Sequence, residues 1–455
     1  MQALLRRCGP FVFAATTQQR CASSLGFQPR YIPSLLDDVE HVEEYHPGGF
    51  HPLQIGDLYS DDRYKIIHKL GFGGSSTIWL ARDSSQGKLV TLKAMRADMS
   101  NKPTEEMPEI AIAQKLHAAL LPSSSIDLQI IENHFTVIGP NGTHRFLVSP
   151  LAGPSVSAMA DCPGRASGSR KLRGDLARKI ASQIAISVKH MHGAGFVHGD
   201  ITTSNILFRV SNRVLEWSEN QVSSTFGHPE TDSVRMRNNN ALDSHAPKEL
   251  VAPIDHLKLS SYVEESAMLI DFGQSHELAS PHLGYEPGTA MHYISPEARF
   301  ETRAGKEADV WALGCAIFEI RAGSPLFESF FASDSNILKH TVETLGRLPD
   351  PWWNLFVERT RWFEEDGTLK SEKAQEAAGS HIMASKSSIV EKLRSIGKDD
   401  EPPTSNEGPL IEKTGVTLTQ DEVELLADLL GKMLKYRPDE RITIEEVVAH
   451  PWFAM

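Results

Sequence analysis

The stretch FVHGDITTSNILF, residues 196–208, contains side chains whose types and spacing suit chemistry on a phosphate group. Asp200 and Asn205 lie five positions apart in a short polar loop between two apolar runs. A carboxylate in such a loop can orient and deprotonate a hydroxyl, and an amide oxygen can bind Mg²⁺ without adding charge. Either residue alone would more often belong to an ordinary turn, so a catalytic site needs support from other segments.

Three further side chains could complete a site of this kind. Asp271 follows an apolar run and precedes a glycine in LIDFG, so its carboxylate could be held rigidly as a second metal ligand. Lys93 in TLKAM can reach the α- and β-phosphates of a nucleotide, and Glu109 on a predicted helix would hold its ammonium group in place. The order of these pieces along the chain makes coincidence negligible and predicts phosphoryl transfer.

The stretch LGFGGSSTIW, ahead of Lys93, predicts a glycine-rich turn between two strands. Glycine lets backbone N–H groups approach phosphate oxygens without interference from a Cβ atom. Ser76 occupies the third position of a G-x-G-x-x-G pattern, and an isolated turn of this kind would more often be an ordinary hairpin. The residues predicted to bind the nucleotide are Leu70, Gly71, Phe72, Gly73, Gly74, Ser75, Ser76, Ile78 and Lys93.

The elements that would position these residues follow from the hydrophobic periodicity. Alternating segments from Tyr64 onwards, RYKIIHKL, STIWLARD and KLVTLKAM, predict a small antiparallel sheet, and a helix is predicted from Pro108. An extended link is predicted at 149–154, followed by helices, among them 308–322, 420–434 and 443–449. One helical stripe ends at GAG and consists of Leu176, Ile180, Ile184, Val188 and Met191. A small β-rich lobe followed by a larger α-rich lobe is therefore predicted.

The composition excludes several classes of protein. A chain of 455 residues with 40% hydrophobic and 23% charged residues is typical of a soluble globular protein. The longest apolar stretch, around 310–320, contains Glu319 and is far shorter than the roughly eighteen residues of a membrane span. The four cysteines show no C-x-x-C spacing and the 19 histidines no H-E-x-x-H pattern, so neither a zinc site nor a disulfide framework is predicted.

The net charge of −13 disfavours binding to nucleic acid and favours a basic protein partner, although surplus acids can also serve solubility alone. Residues 1–36 differ from the rest, because they contain four arginines and no acid. This composition predicts an organelle transit peptide or an unfolded tail, outside the fold in either case. Residues 211–265 and 368–418 are rich in polar and charged residues and predict inserted, mobile loops.

Taken together, LGFGGSSTIW, TLKAM, HGDITTSN, IDFG and ISPEA resemble the eukaryotic protein kinases over about residues 64–453. YHPGGFHPLQIGDLY at 45–59, the long insert before DFG and VETLGRLPDPWWNLFVERTRWFEEDG at 342–367 are similar to SR-protein kinases, especially their fungal relatives. The pattern G-x-x-x-x-G-K-[ST] of P-loop NTPases is absent from the sequence.

The resemblance implies an α+β, bilobal protein-kinase fold that uses ATP and Mg²⁺. Its segments would be a leader at 1–36, an SR-protein-kinase-like segment at 37–63, an N-lobe at 64–150 and a C-lobe at 151–455 with the two mobile inserts. Asp200, Lys93, Glu109, Asn205 and Thr202 would form the catalytic set, with Asn205 and Asp271 on the metal. The resemblance also implies structural roles for three residues. Glu297 would pair with Arg441, and Asp309 would support the catalytic loop.

Three positions depart from the usual kinase pattern. Thr202 stands where most protein kinases have a Lys that contacts the transferring phosphate, which predicts slow catalysis, by on the order of 10²- to 10³-fold. Gly199 replaces an Arg that normally binds a phosphate on the activation loop, so the loop from Gln274 to Tyr293 is expected to work unphosphorylated, as in SR-protein kinases. Ile294 replaces an Arg often found in relatives, so the acceptor specificity is inferred only from the resemblance.

By the same resemblance the chain is expected to phosphorylate Ser/Thr residues of basic, Arg-Ser-rich proteins, with a possible role in mRNA splicing, and to act as a monomer. It is expected in the cytoplasm and nucleus, with the mitochondrion as the alternative from the leader. Two other functions stay open at this point. One is a pseudokinase scaffold that binds nucleotide or partners without efficient transfer, and the other is a purely structural mitochondrial protein.

Overall fold

The computed structural model describes residues 28–120, 127–161, 169–279, 288–328, 333–400 and 408–455. Most of the predicted leader therefore lies outside the described residues. No helix within these ranges is long and apolar enough to cross a membrane.

The described strands, in chain order, are β1 (Leu58–Tyr59), β2 (Tyr64–Phe72), β3 (Ser76–Asp83), β4 (Lys88–Met95), β5 (Asn133–Gly139), β6 (Gly142–Pro150), β7 (Ala152–Ser155), β8 (Phe196–Val197), β9 (Ile206–Val210), β10 (Thr231–Ser233), β11 (Glu249–Val251), β12 (Val263–Leu269) and β13 (His276–Glu277).

The described helices are α1 (Pro108–Leu120), α2 (Val156–Asp161), α3 (Gly174–Gly193), α4 (Asn212–Leu215), α5 (Glu219–Phe226), α6 (Pro296–Glu301), α7 (Lys306–Ala322), α8 (Asp334–Leu345), α9 (Trp352–Leu355), α10 (Glu372–Ala377), α11 (Ile389–Ser395), α12 (Gln420–Met433) and α13 (Ile444–Val448).

These elements form two compact units. The first contains the described part of Met1–Gln114, with Gln129–Pro154 and Phe208–Glu264; the second contains the described parts of Lys115–Leu128, Ser155–Leu207 and Glu265–Met455. This division differs from the predicted one, 64–150 and 151–455, in two places: residues 208–264 belong to the first unit, and the described part of Lys115–Leu128 belongs to the second. A β-rich unit and an α-rich unit, as in the predicted fold class, are confirmed.

The first unit is built on a six-stranded antiparallel sheet with the order β1-β2-β3-β4-β6-β5. Successive side chains of a strand point to opposite faces. In β3, Trp79 therefore joins a core with Leu92 and Phe146, whereas Leu80 joins a second core with Leu89. Both faces of the sheet are therefore covered, which explains why Trp79 and Leu80, neighbours in β3, are both buried.

Residues 211–265 cover one of these faces, so the prediction of an unpacked, mobile loop is wrong there. Helices α4 and α5 supply Val214, Val222 and Phe226 to the core that contains Leu80. The segment also contains the two-stranded sheet of β10 and β11. The sequence did not predict this packing, because the segment has few apolar residues and these contact strands from another part of the chain.

The N-terminal segment packs against the same insert. Tyr31 is 1% exposed, and its hydroxyl donates to Asp243. Val42, Tyr45 and Phe50 form a core cluster with Ala246 and Leu250 of the insert. Residues 28–36 therefore belong to the fold, and the predicted boundary of the leader at residue 36 is wrong, because an aromatic side chain is buried before it.

The second unit is largely helical. The five predicted stripe residues of α3 are each at most 1% exposed, and the helix ends at the predicted glycines with Gly195 at φ +87°. Helix α7 is buried along most of its length, from Asp309 to Arg321, so it lies inside this unit. The predicted helices at 308–322, 420–434 and 443–449 correspond to α7, α12 and α13, within two residues at each end.

The second predicted loop, 368–418, also packs where the structure describes it. It contains α10 and α11, and its buried residues include Gln375 at 1%, Leu393 at 0% and Ile411 at 5% exposure. Residues 401–407 lie outside the described residues. For the remainder of this segment the prediction of a mobile loop is wrong, because two short capped helices bury its scattered apolar side chains.

Candidate active site

The glycine-rich turn lies in the first unit at the end of the β2–β3 hairpin. Gly71 pairs with Ile78 and Phe72 with Thr77, and the N–H of Gly73 donates to the carbonyl of Ser76 at 2.9 Å. A Cβ atom at Gly71 or Gly73 would meet no atom within 4 Å, so the backbone there is open to an approaching ligand.

Ser76 plays a different part from the glycines that precede it. It is 3% exposed and pairs with Met95 as the first residue of β3. It therefore anchors the base of the turn. The turn is closed at Gly73, three residues earlier, so position 76 does not need the conformational freedom of glycine.

Lys93 and Glu109 form the ion pair that the sequence predicts. Lys93 lies in β4 between Ile78 of β3 and Leu147 of β6, and its Nζ lies 3.0 Å from Glu109 Oε2. Glu109 is in the first turn of α1, where an acid is favoured by the helix dipole. This turn is fixed to the sheet by a small core of Met95, Met107, Ile110 and Leu147. Packing of the helix start against β4 and β6 thus explains how the pair forms.

In the second unit, Asp200 and Asn205 are joined directly. The Asn205 side-chain amide donates to the Asp200 backbone carbonyl at 2.9 Å and to its Oδ2 at 2.8 Å. The N–H of Asp200 donates to His198 Nδ1 at 3.2 Å, and His198 Nε2 lies 3.2 Å from the Ile270 carbonyl oxygen. The loop thus closes on itself and fixes the direction of the Asp200 carboxylate.

Asp271 is held next to this loop. The N–H of Ile270, the residue before it, donates to the Asn205 carbonyl at 2.9 Å. Asp271 itself has φ +67°, a left-handed conformation that is uncommon outside glycine and that clusters at functional sites. The structure therefore brings Asp200, Asn205 and Asp271 together, as the sequence predicts.

The electrostatics of this group suit a cation. The pKa of Asp200 is raised, first by burial and also by the negative charge of Asp271, while Thr289, His198 and Asn205 partly offset the shift. Its Oδ1 is buried and accepts no hydrogen bond of good geometry from any residue that the structure describes. Such an atom, with a second carboxylate and an amide oxygen nearby, fits Mg²⁺. Within the described ranges there is no group of three His, Cys, Asp or Glu residues arranged to hold a metal.

Thr202 has a role that the sequence did not indicate. It is 5% exposed, and its hydroxyl accepts the N–H of Asn205 at 3.3 Å as the cap of a short 3₁₀ turn. The hydroxyl is thus engaged in holding Asn205. Through this contact Thr202 positions the loop.

The three structural residues have the contacts that the resemblance implies. Asp309 Oδ2 accepts the N–H of His198 at 2.8 Å, and its Oδ1 accepts the N–H of Gly199 at 2.9 Å. These two hydrogen bonds fix the start of the catalytic loop to α7. Arg441 and Glu297 form a bidentate pair with both distances at 2.6 Å, and both residues are buried. These predictions are confirmed.

Thr289 is a site residue that the sequence analysis missed. Its hydroxyl lowers the pKa of Asp200, although Thr289 lies 89 positions further along the chain. A lone Thr in a polar segment carries no periodicity or spacing signal. Only the fold reveals that this segment lies beside the catalytic loop.

The comparisons with known proteins agree with this geometry. Residues 64–218 and 259–453 match the protein kinase domain family. The serine/threonine-protein kinase SRPK of Physarum polycephalum is 23% identical over 428 residues, which cover 91% of each chain. The protein kinase dsk1 of Schizosaccharomyces pombe is 30% identical over 213 residues, 46% of this chain and 38% of dsk1. The serine/threonine-protein kinase SKY1 of Saccharomyces cerevisiae is 30% identical over 180 residues, 38% of this chain and 23% of SKY1. The chain therefore belongs to the protein kinase family, as a serine/threonine kinase of the SR-protein kinase type.

Proposed function

We propose that this kinase transfers the γ-phosphate of ATP to Ser or Thr hydroxyls of basic, Arg-Ser-rich proteins, including proteins of mRNA splicing. The observation that carries the proposal is the carboxylate of Asp200, whose Oδ1 is buried and accepts no well-placed hydrogen bond from any described residue, while Asn205 holds its Oδ2. A scaffold has no need of such a group, since a buried carboxylate with an unpaired oxygen costs stability.

Each residue of the set has a separate task. Asp200 would accept the proton of the incoming hydroxyl, and Asn205 and Asp271 would supply oxygen ligands to Mg²⁺. Lys93, oriented by Glu109, would hold the α- and β-phosphates. ATP supplies the phosphoryl group when it is bound. No Lys or Arg occurs between Asp200 and Asn205, so we expect slow transfer.

The test is a transfer assay on the purified full chain with Mg²⁺-ATP and an Arg-Ser-rich peptide. The matched controls are Asp200→Asn and a peptide in which Ala replaces every Ser. We expect transfer that depends on both Asp200 and the Ser hydroxyl. Transfer no greater than that of Asp200→Asn would overturn the proposal and favour the pseudokinase alternative, which draws on Thr202 and Ser76 as departures from the usual kinase pattern.

For the cellular address we propose the cytoplasm and nucleus, with the mitochondrion as the competing address from the arginine-rich leader. Because Tyr31 is buried, the informative truncation removes residues 1–27 and keeps the folded segment that follows. Equal distribution of the tagged full chain and the tagged truncation supports the proposal. Loss of a mitochondrial signal on truncation would overturn it.

A further inference from the structure

A buried hydrogen-bond network joins three segments of the second unit, and the tasks described above do not use it. Its members are Thr203 of the catalytic loop, Tyr293 at the end of the segment before Ser-Pro-Glu, and Glu319 of α7. They are 1%, 3% and 8% exposed, respectively. Polar groups that are buried to this degree are costly unless they are well paired, so the completeness of the network is informative.

The hydrogen positions follow from the distances. Thr203 Oγ1 donates to Glu319 Oε1 at 2.6 Å, and the Tyr293 hydroxyl donates to Oε2 at 2.5 Å. Each hydroxyl has one hydrogen, so both are used on the carboxylate. The Tyr293 oxygen then accepts the backbone N–H of Thr203 at 3.2 Å. Thr203 therefore contacts Tyr293 through its backbone N–H, and its Oγ1 also lies 2.9 Å from the Tyr293 hydroxyl oxygen.

The network complements the support that Asp309 provides. Asp309 and Glu319 lie ten residues apart on α7, a rise of about 15 Å along the helix. Asp309 holds the start of the catalytic loop at His198 and Gly199, whereas Glu319 holds it at Thr203, beyond Asp200. The loop is thus fixed on both sides of its acid.

Burial and the Glu319 carboxylate raise the pKa of Tyr293 well above its ordinary range. The phenol therefore stays protonated and remains a donor over the working pH range of an enzyme. The bond from Tyr293 to Glu319 therefore does not depend on the titration of the phenol.

We infer that Thr203 is a positioning residue, whose hydroxyl and N–H hold the catalytic loop in register with the Tyr293 segment and so align the acceptor hydroxyl with Asp200. This inference rests on the proposed phosphoryl transfer. The hydrogen bonds of Thr203 with Tyr293 and Glu319 would also order residues 288–294.

The experiment compares Thr203→Val, which removes the hydroxyl at nearly constant shape, with Thr203→Ser, which keeps it. Thr341→Val is the control, because Thr341 is 5% exposed and its hydroxyl donates to the Ile337 carbonyl within its own helix, α8. We expect Thr203→Val to lower kcat for the peptide about tenfold or more, as for loss of a hydrogen bond to a charged group, with an unchanged KM for ATP. Thr203→Ser and Thr341→Val should stay close to the wild type.

Hydrogen exchange of the amides at 288–294 gives a readout that does not require activity. We expect faster exchange there in Thr203→Val than in Thr203→Ser or Thr341→Val. Equal exchange and equal kcat in Thr203→Val and Thr341→Val would overturn the inference, as would equal impairment of Thr203→Val and Thr203→Ser. Absence of transfer by the wild type would instead overturn the proposed function, and the exchange result would still decide the role of the network.

Discussion

At the scale of single residues, Asp200 shows how a catalytic group is kept at the expense of stability. Its pKa is raised chiefly by burial, so the ionised form is less stable in the folded chain than in the unfolded chain. Its Oδ1 also has no well-placed donor among the described residues. A neutral residue of the same shape would relieve both costs and would remove the proton acceptor.

We therefore predict that Asp200→Asn lowers transfer by about 10²- to 10⁴-fold, the range of a general base, while thermal unfolding stays unchanged or shifts upward. The measurements are phosphate transfer to the peptide and Tm without nucleotide. A fall of several degrees in Tm would mean that the carboxylate is structural, which contradicts its assignment as the base.

The chemical residues could be predicted from the sequence because their identity and order carry the signal. Asp200, Asn205 and Asp271 occur in short motifs with a direct chemical meaning, and the structure brings them together. Thr203 could not be found in this way. Its role depends on Tyr293 and Glu319, which lie 90 and 116 positions away, and no local pattern links a hydroxyl to a partner at that distance.

At the scale of elements, the catalytic loop is shaped by a close approach at Gly199. This residue has φ +81°, and a Cβ atom there would lie 2.7 Å from the carbonyl oxygen of Gln274. The sequence shows only that the usual Arg is missing. The structure adds that no side chain fits at this position, because the start of the activation loop passes directly over it.

We predict that Gly199→Ala lowers both the free energy of unfolding and the rate of transfer. Gly195→Ala is the matched control, because Gly195 has φ +87° but a Cβ atom there would meet nothing within 4 Å. The control should lose only the backbone strain, about 1–3 kcal/mol. Chemical denaturation and the transfer assay separate the two effects. Equal losses in both variants would show that the approach of Gln274 imposes no constraint.

Asp309 ties the same loop to α7 and makes its stability depend on pH. Burial alone would raise its pKa, but hydrogen bonds and charge interactions with His192, His198 and Gly199 hold the pKa below its usual range. A carboxyl with a lowered folded pKa stabilises the protein above its unfolded pKa of about 3.9, and this contribution is lost as the pH falls through the folded pKa.

We predict that Asp309→Asn destabilises the protein by about 3 kcal/mol at neutral pH, because one of the buried N–H groups then faces an amide donor. The difference between wild type and variant should persist down to about pH 5 and shrink below pH 4. Urea unfolding at a series of pH values measures it. A difference that stays constant down to pH 3 would contradict the ionic part of the explanation.

The packing of the insert at 211–265 could not be predicted from the sequence. Polar runs such as RMRNNNALDSHAP indicate loops because they show no period of their own. Yet Val214 and Phe226 are buried against Leu80 and Leu89 of the sheet, and Leu250 packs with Tyr45. A segment whose few apolar residues serve a core made by other parts of the chain has no self-contained signal, so periodicity alone cannot identify it.

At the scale of the whole molecule, net charge is the property that bears on the partner. The chain carries −13, and its acids outnumber its basic residues by 59 to 46. A field of this sign attracts an arginine-rich peptide through many weak interactions, without the need for one dominant contact. Such attraction acts over a distance set by dissolved ions. Between about 0.05 M and 0.5 M salt the screening length shortens about threefold.

We therefore predict that KM for an Arg-Ser-rich peptide rises steeply over this range of salt, by about tenfold or more, as expected for steering between opposite charges. The matched control is a peptide of the same length and Ser positions with Gln in place of Arg. Its KM should change little, because it carries no charge for the field to act on. Tm at each salt concentration excludes unfolding as the cause. If both peptides responded equally, the acidic surface would serve solubility alone, and recognition of the substrate would have to come from shape and hydrogen bonding near Asp200.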